Sequence, residues 1–413
     1  MARGTKLSAG ILAAALFALL AFAPLASAAP DPVASGTTTM TLQKSFTKYL
    51  KTFGIKTSKT GSAKLKGNKA TFKVTGGLVD PTTGLGELSL GGGLKFKAGK
   101  KSAPLSALVL NTSKKALTGK VGGKKVKIAS VAGWSFARNG FGVNLTVKKL
   151  KLTGSGASAL NKKLGFSKGK PKPFLANKLI AKAAAEEQPA TVTVLPSGNL
   201  TFSGSPILLG KLSNVKANVE TISPTTQAGT VFTGPLLGGT VSPAGTAGVV
   251  QSGLGVNLVQ HLPLSATESI DTTITLAGMY LDLSAKTVTV EVIADSNAES
   301  PAGSGKFPLK LGNLGRSSIA DLTVTGVTAD PATRTVNVNS VAVLQPISAE
   351  VLQGFVSVYK AYAEGGTYKK AKEEGATDEE AAAAAKAAGE EVAKNNINAG
   401  EALGTFSFTA QTQ

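Results

Sequence analysis

The chain has no cysteine, one histidine and one tryptophan, and aromatic residues make up only 5% of its 413 positions. Without thiols there is no disulfide, no thiolate metal site and no cysteine nucleophile, so a chain of this size has to rest on its hydrophobic core. The single histidine, His261, leaves histidine and cysteine metal sets short of ligands, and a hydrolytic triad would have to form around that one ring. No Gly-x-Ser-x-Gly elbow accompanies it. A glycosidase needs only two carboxyls, yet residues 1–188 hold five Asp plus Glu, and aromatic sugar platforms are scarce. These shortages make a non-enzymatic protein the expectation. The shortage of rings also argues against nucleic acid, because single-strand binders stack bases on aromatic side chains.

The segment Gly91 to Leu105 looks briefly like a phosphate loop, with a glycine run and then Gly99-Lys100-Lys101-Ser102. That loop requires a first glycine where Leu94 stands, and a hydroxyl directly after the lysine, where Lys101 intrudes. Pro104 and Leu105-Ser106-Ala107-Leu108-Val109-Leu110 then read as a strand, not as the helix a phosphate site needs.

What is present begins with an address. Arg3 and Lys6 precede an apolar run from Leu7 to Ala23, followed by Pro24 and Ala26-Ser27-Ala28. This is the layout of a secretory signal, and its 17-residue run falls short of the roughly 20 residues that span a bilayer. Residues 1–28 are expected to be removed, leaving a secreted or envelope-associated product with no membrane span. Charge then divides the chain. Residues 1–188 carry 32 Lys plus Arg against 5 acids, a balance of +27; residues 189–413 carry 13 against 19, a balance of −6. Such a basic half attracts polyanions, of which anionic cell-wall polymer suits an exported protein, although lysines also simply solubilise strand faces and guard sheet edges.

Phe46, Tyr49, Leu50 and Phe53 recur at helical spacing and stop at Gly54. Short alternating runs follow, among them Ala70 to Thr75, Gly86 to Phe96, Leu117 to Val121 and Phe141 to Leu152. They predict antiparallel sheet with one wet face. The rhythm then repeats. Gly84 to Phe96 is echoed by Gly245 to Leu258, and the runs Ser106 to Leu110 and Leu117 to Val121 by Thr273 to Leu276 and Val288 to Val292. Two copies of more than a hundred residues indicate a duplicated domain, not a solenoid. The fold expected is mainly β, two antiparallel sandwich-like domains with short helices. Residues 29–36 form an N-terminal linker, 37–167 the first domain, 168–188 a Lys/Pro/Ala-rich linker ending in an alanine-rich helix, and 189–413 the second domain. Thr377-Asp378-Glu379-Glu380 is a capping box opening a helix from Ala381 to Lys394 near the C-terminus.

Ser45-Phe46-Thr47-Lys48-Tyr49, the strands after it, and Gly93-Leu94-Lys95-Phe96-Lys97-Ala98-Gly99 together resemble the HtaA domain, a β-rich module of exported actinobacterial haem-binding proteins. The resemblance covers roughly 37–165 and, more faintly, 189–360. It implies haem as cofactor, haem or a haem-carrying protein as partner, and an iron-ligating tyrosine at the position of Tyr49. A phenolate holds ferric iron well, and a neighbouring histidine can tune it. Lys95, Lys97 and Lys100 would be available to the propionates. The family's histidine is missing from the first half, where Gly99 or Lys100 stands, and its early tryptophan is absent. In the second half His261 falls near the histidine position, while residues 189–257 contain no tyrosine. Tyr49 therefore reads either as an iron ligand or as a core ring, and His261 as a ligand-side residue or an ordinary strand residue. The competing function is a structural or adhesive envelope protein that grips anionic wall polymer.

Overall fold

The computed structural model describes residues 30–166, 171–298 and 312–413. The expected leader, residues 1–28, lies outside them. The chain is mainly β and forms two closed, antiparallel, eight-stranded barrels. Where sandwich-like packing is expected, each sheet curls into a closed ring, and the strands of that ring have no open edge.

The first barrel uses β1 (Asp31–Leu42), α1 (Lys44–Thr52), β2 (Ile55–Thr60), β3 (Lys64–Lys66), β4 (Lys69–Val79), β5 (Gly86–Gly91), β6 (Gly93–Ala98) and β7 (Lys101–Asn111). It continues with β8 (Ala116–Val121), β9 (Lys124–Asn139), β10 (Gly142–Leu152), α2 (Gly154–Leu164) and β11 (Leu179–Pro189). The ring runs β7, β5, β4, β1, β11, β10, β9, β8 and back to β7, with β6 and β2 as a wing on β7. Phosphate-loop likeness ends here: Gly91 to Leu105 spans β5, β6 and the turn into β7, with Gly99 left-handed at φ 55°.

The second barrel repeats the first strand for strand. It comprises β12 (Val192–Val194), β13 (Asn199–Gly204), α3 (Pro206–Asn214), β14 (Ala217–Thr221), β15 (Thr226–Ala228), β16 (Val231–Val241), β17 (Gly248–Ser252) and β18 (Val256–Pro263). Then come β19 (Ser269–Asp282), β20 (Thr287–Ser296), β21 (Gly312–Asp330), β22 (Thr335–Leu344), α4 (Pro346–Glu373), α5 (Asp378–Ala393) and β23 (Ala402–Gln411). Its ring is β16, β13, β23, β22, β21, β20, β19, β17 and back to β16, with β18 and β14 as the wing on β19. The helical segment near the C-terminus is thus an elaboration between the last helix and last strand of the second repeat. Its capping box is formed, the Thr377 hydroxyl accepting from the Glu380 N–H while Glu380 accepts from the Thr377 N–H. No helix among the described residues is long and apolar enough to cross a membrane.

Two expectations about chain segments are corrected. Residues 31–36 are not a linker but the start of β1, which pairs with β4 and β11. The alanine-rich stretch is not a helix but β11, lying between β1 and β10 in the ring. Ala181, Ala183 and Ala185 point inward and are buried, while Lys182, Ala184 and Glu186 face out. Burial on alternate residues overrides the helix preference of Ala, Lys and Glu, which amounts to tenths of a kcal/mol per residue.

A buried polar cluster joins the barrels. Asp31 Oδ1 accepts from the Thr193 N–H and Oγ1, both at 3.2 Å, and Arg138 donates to the main-chain oxygen of Gln413. Burial pushes the Asp31 carboxyl up to about 6, against the opposing pull of Thr193 and Arg138. Burial likewise raises Glu187 to about 7, with the Val143 N–H and Arg138 opposing. Both groups hold their protons more tightly folded than unfolded. The stability they contribute is full below their ordinary values of 3.8 and 4.5 and is lost as pH rises through about 6 and 7. Calorimetry should therefore show the wild-type melting midpoint falling between about pH 4 and pH 7 more steeply than that of Asp31→Asn/Glu187→Gln. Each kcal/mol of linkage corresponds to roughly 2–4 °C.

Candidate functional site

Helix α1 starts after Gln43 and ends at Phe53, with Gly54 left-handed at φ 67°. Its apolar stripe divides in two. Phe46 and Leu50 are buried, and Phe46 meets the Phe174 ring edge-on at 6.1 Å. Tyr49, one step round the helix, is 40% exposed and is not a core ring. It stands edge-on to Phe53 at 5.2 Å, and Phe53 in turn meets Phe166, just past α2, at 6.1 Å. Three half-exposed rings therefore line up across the ends of α1 and α2. Among the described residues the Tyr49 hydroxyl makes no hydrogen bond; the Thr52 hydroxyl donates to the Tyr49 main-chain oxygen.

Helix α2 is set by its caps: the Thr153 hydroxyl accepts from the Gly156 N–H at 3.0 Å, and Gly165 closes the helix at φ 82°. Asn161 fixes the return segment, donating to the Phe174 oxygen at 2.7 Å and accepting from its N–H at 3.1 Å. Phe174 then bridges Phe46 and Phe96, so the helical cap is locked onto β6.

The lysines separate by strand parity. Leu94 and Phe96 are buried on the α1 side of β6, which turns Lys95 and Lys97 to the opposite face. Lys100 is exposed in the β6–β7 turn, away from that strand face. Lys101, which the sequence reading passes over, lies against Gly165, beside Phe166. Only geometry across the wing and α2 reveals it. Every ion pair within 4 Å among the described residues lies in the second half, so the lysines of the first barrel are unneutralised by contact.

The second repeat lacks this arrangement. Counting from the helix N-caps, Gln43 and Ser205, the place of Tyr49 is taken by Lys211, whose ammonium pairs with Glu401 at 2.8 Å and donates to the Asn396 oxygen at 2.7 Å. The register of β14 on β18, set beside that of β2 on β6, puts His261 at the place of Gly99. His261 is an exposed strand residue paired across the ladder with Asp271, Nδ1 to Oδ1 at 2.5 Å. Tyr49 and His261 belong to different barrels and form no common site.

Neither a protein-family pattern nor a curated protein matches the chain. Among solved structures, the C-terminal domain of HtaA from Corynebacterium glutamicum is similar to 38% of this chain and 98% of that domain, with 12% identity and a TM-score of 0.29.

Proposed function

We propose that the chain is an exported, non-enzymatic binding protein whose first barrel holds haem on its helical cap, with Tyr49 as the iron ligand. The observation that carries this reading is the placement of Tyr49: a phenol on a rigid helix, 40% exposed, with no hydrogen-bond partner among the described residues and a ring wall beside it. Interior binding is not available among the packed rings of this barrel, where the cavity lined by Phe46, Phe96 and Phe174 is only about 30 Å³. The ligand surface is therefore the outside of the cap. Phe53 and Phe166 offer edges and faces to a flat macrocycle, and Lys101 offers a cation to a propionate. When bound, haem would supply a ferric centre; the chain supplies the phenolate, the apolar wall and the positive field. With Gly99 where the resemblance expects a histidine, the phenolate has no imidazole partner in its own barrel, and ligand retention rests on the iron–oxygen bond and ring contacts.

Titrating the full chain with hemin and following the Soret band tests this. One saturable equivalent per chain is expected, weakening modestly with salt as exposed lysines are screened. Absence of any saturable change removes the reading and leaves the basic barrel as a polyanion-binding scaffold.

A further inference from the structure

The two barrels differ most in what fills them. In the second, a cavity of about 460 Å³ opens between α3 and α4 and runs into the barrel, within the roughly 300–1,000 Å³ of small-molecule sites. The cause is visible position by position. By the same N-cap count and strand register, Phe46 corresponds to Leu208 and Phe96 to Leu258. Phe174, held through its backbone by Asn161, corresponds to Ile397, whose N–H donates to Gln353 at the matching place in α4. Three interlocked rings have become three aliphatic side chains, two of which, Leu208 and Leu258, line a cavity whose walls are almost wholly apolar. An eight-stranded barrel either fills itself with side chains or holds one small ligand; here the two repeats have taken the two alternatives.

Two further features say what the occupant is. Ser318 lines the cavity, and its hydroxyl is buried with no hydrogen-bond partner among the described residues. An unpaired buried hydroxyl is costly, and a ligand oxygen would satisfy it. At the mouth, Ile347 at the start of α4 is 63% exposed and Leu314 38% exposed, and Ile207, which follows Pro206 at the start of α3, is 72% exposed one residue before the lining residue Leu208. We infer that the second barrel binds the acyl chain of a lipid or free fatty acid, its methylenes in the cavity, an oxygen at Ser318, and the apolar rim at the water boundary. This site is independent of Tyr49.

Fluorescence titration of the full chain with cis-parinaric acid, followed by displacement with lauric, myristic and palmitic acids, tests it. One saturable site is expected, displaced better as the chain lengthens. Leu208→Phe/Leu258→Phe restores the ring packing of the first barrel and should weaken binding at least tenfold with an unchanged circular dichroism spectrum. Each single variant should show part of the loss, which keeps the test valid if the double variant does not fold. Ser318→Ala should weaken the acids several-fold. Transfer of fluorescent fatty acid or of fluorescent phosphatidylcholine out of phosphatidylcholine vesicles identifies the source of the chain. No saturable parinarate binding, undiminished binding in the folded phenylalanine variants, or displacement by hemin from Tyr49→Phe at equal stoichiometry overturns the assignment.

Discussion

On the proposed reading, Tyr49→Phe should leave the first barrel folded and abolish ferric-haem binding. The ring is 40% exposed and its hydroxyl has no hydrogen-bond partner among the described residues, so deleting the oxygen should shift stability by less than about 0.5 kcal/mol, as for an ordinary surface change. The contact with Phe53 at 5.2 Å survives, because phenylalanine keeps the ring. Only the donor to iron is lost. Removing an outer partner of a metal ligand costs roughly 10–100-fold in affinity, and removing the ligand itself should exceed that. Parallel hemin titrations and thermal melts of wild type and variant check the result, since the account requires the two readouts to separate.

Phe174→Ala should produce a different pattern, a large loss of stability in the first barrel. Phe174 is 1% exposed and meets both Phe46 at 6.1 Å and Phe96 at 5.2 Å. Truncating a buried phenylalanine costs about 3–5 kcal/mol through lost transfer energy and the cavity left behind. The Asn161 bonds go to the backbone of residue 174 and persist, so the segment stays tethered while its plug is missing. Urea unfolding should show the first barrel melting earlier and the second unchanged. Haem affinity should fall as well, because α1 loses the packing that fixes the direction of Tyr49.

The parts of the fold legible in the sequence are those where pattern and environment agree. The glycine-punctuated runs at Gly84 to Phe96 and Gly245 to Leu258 fall on β5–β6 and β17–β18, matching strands of the two barrels. The Thr377 box and the helical run around Phe46 are local signals that need no tertiary help. β11 was hidden because its inward residues are alanines, too small to make the alternation with Lys182 and Glu186 stand out as hydrophobic contrast. β1 was hidden because Asp31 and Thr38 take two of its buried positions, leaving Val33, Met40 and Leu42 as an interrupted apolar face.

The candidate site was half legible for a comparable reason. Tyr49 sits on a helix whose spacing can be read directly, although not which flank of the stripe is buried. Phe166 and Lys101 reach it only through the packing of α2 against the β6–β7 turn. Lys95 and Lys97 looked suitable by proximity in sequence, and strand parity turns them away. His261 resembles a partner only until the register assigns it to the other barrel.

Resonance Raman spectroscopy of the hemin-loaded full chain tests the central claim most directly. A tyrosinate bound to ferric haem contributes phenolate-to-iron modes of its own. The account predicts these modes in the wild type and their disappearance in Tyr49→Phe; spectra that are the same for both proteins would contradict it.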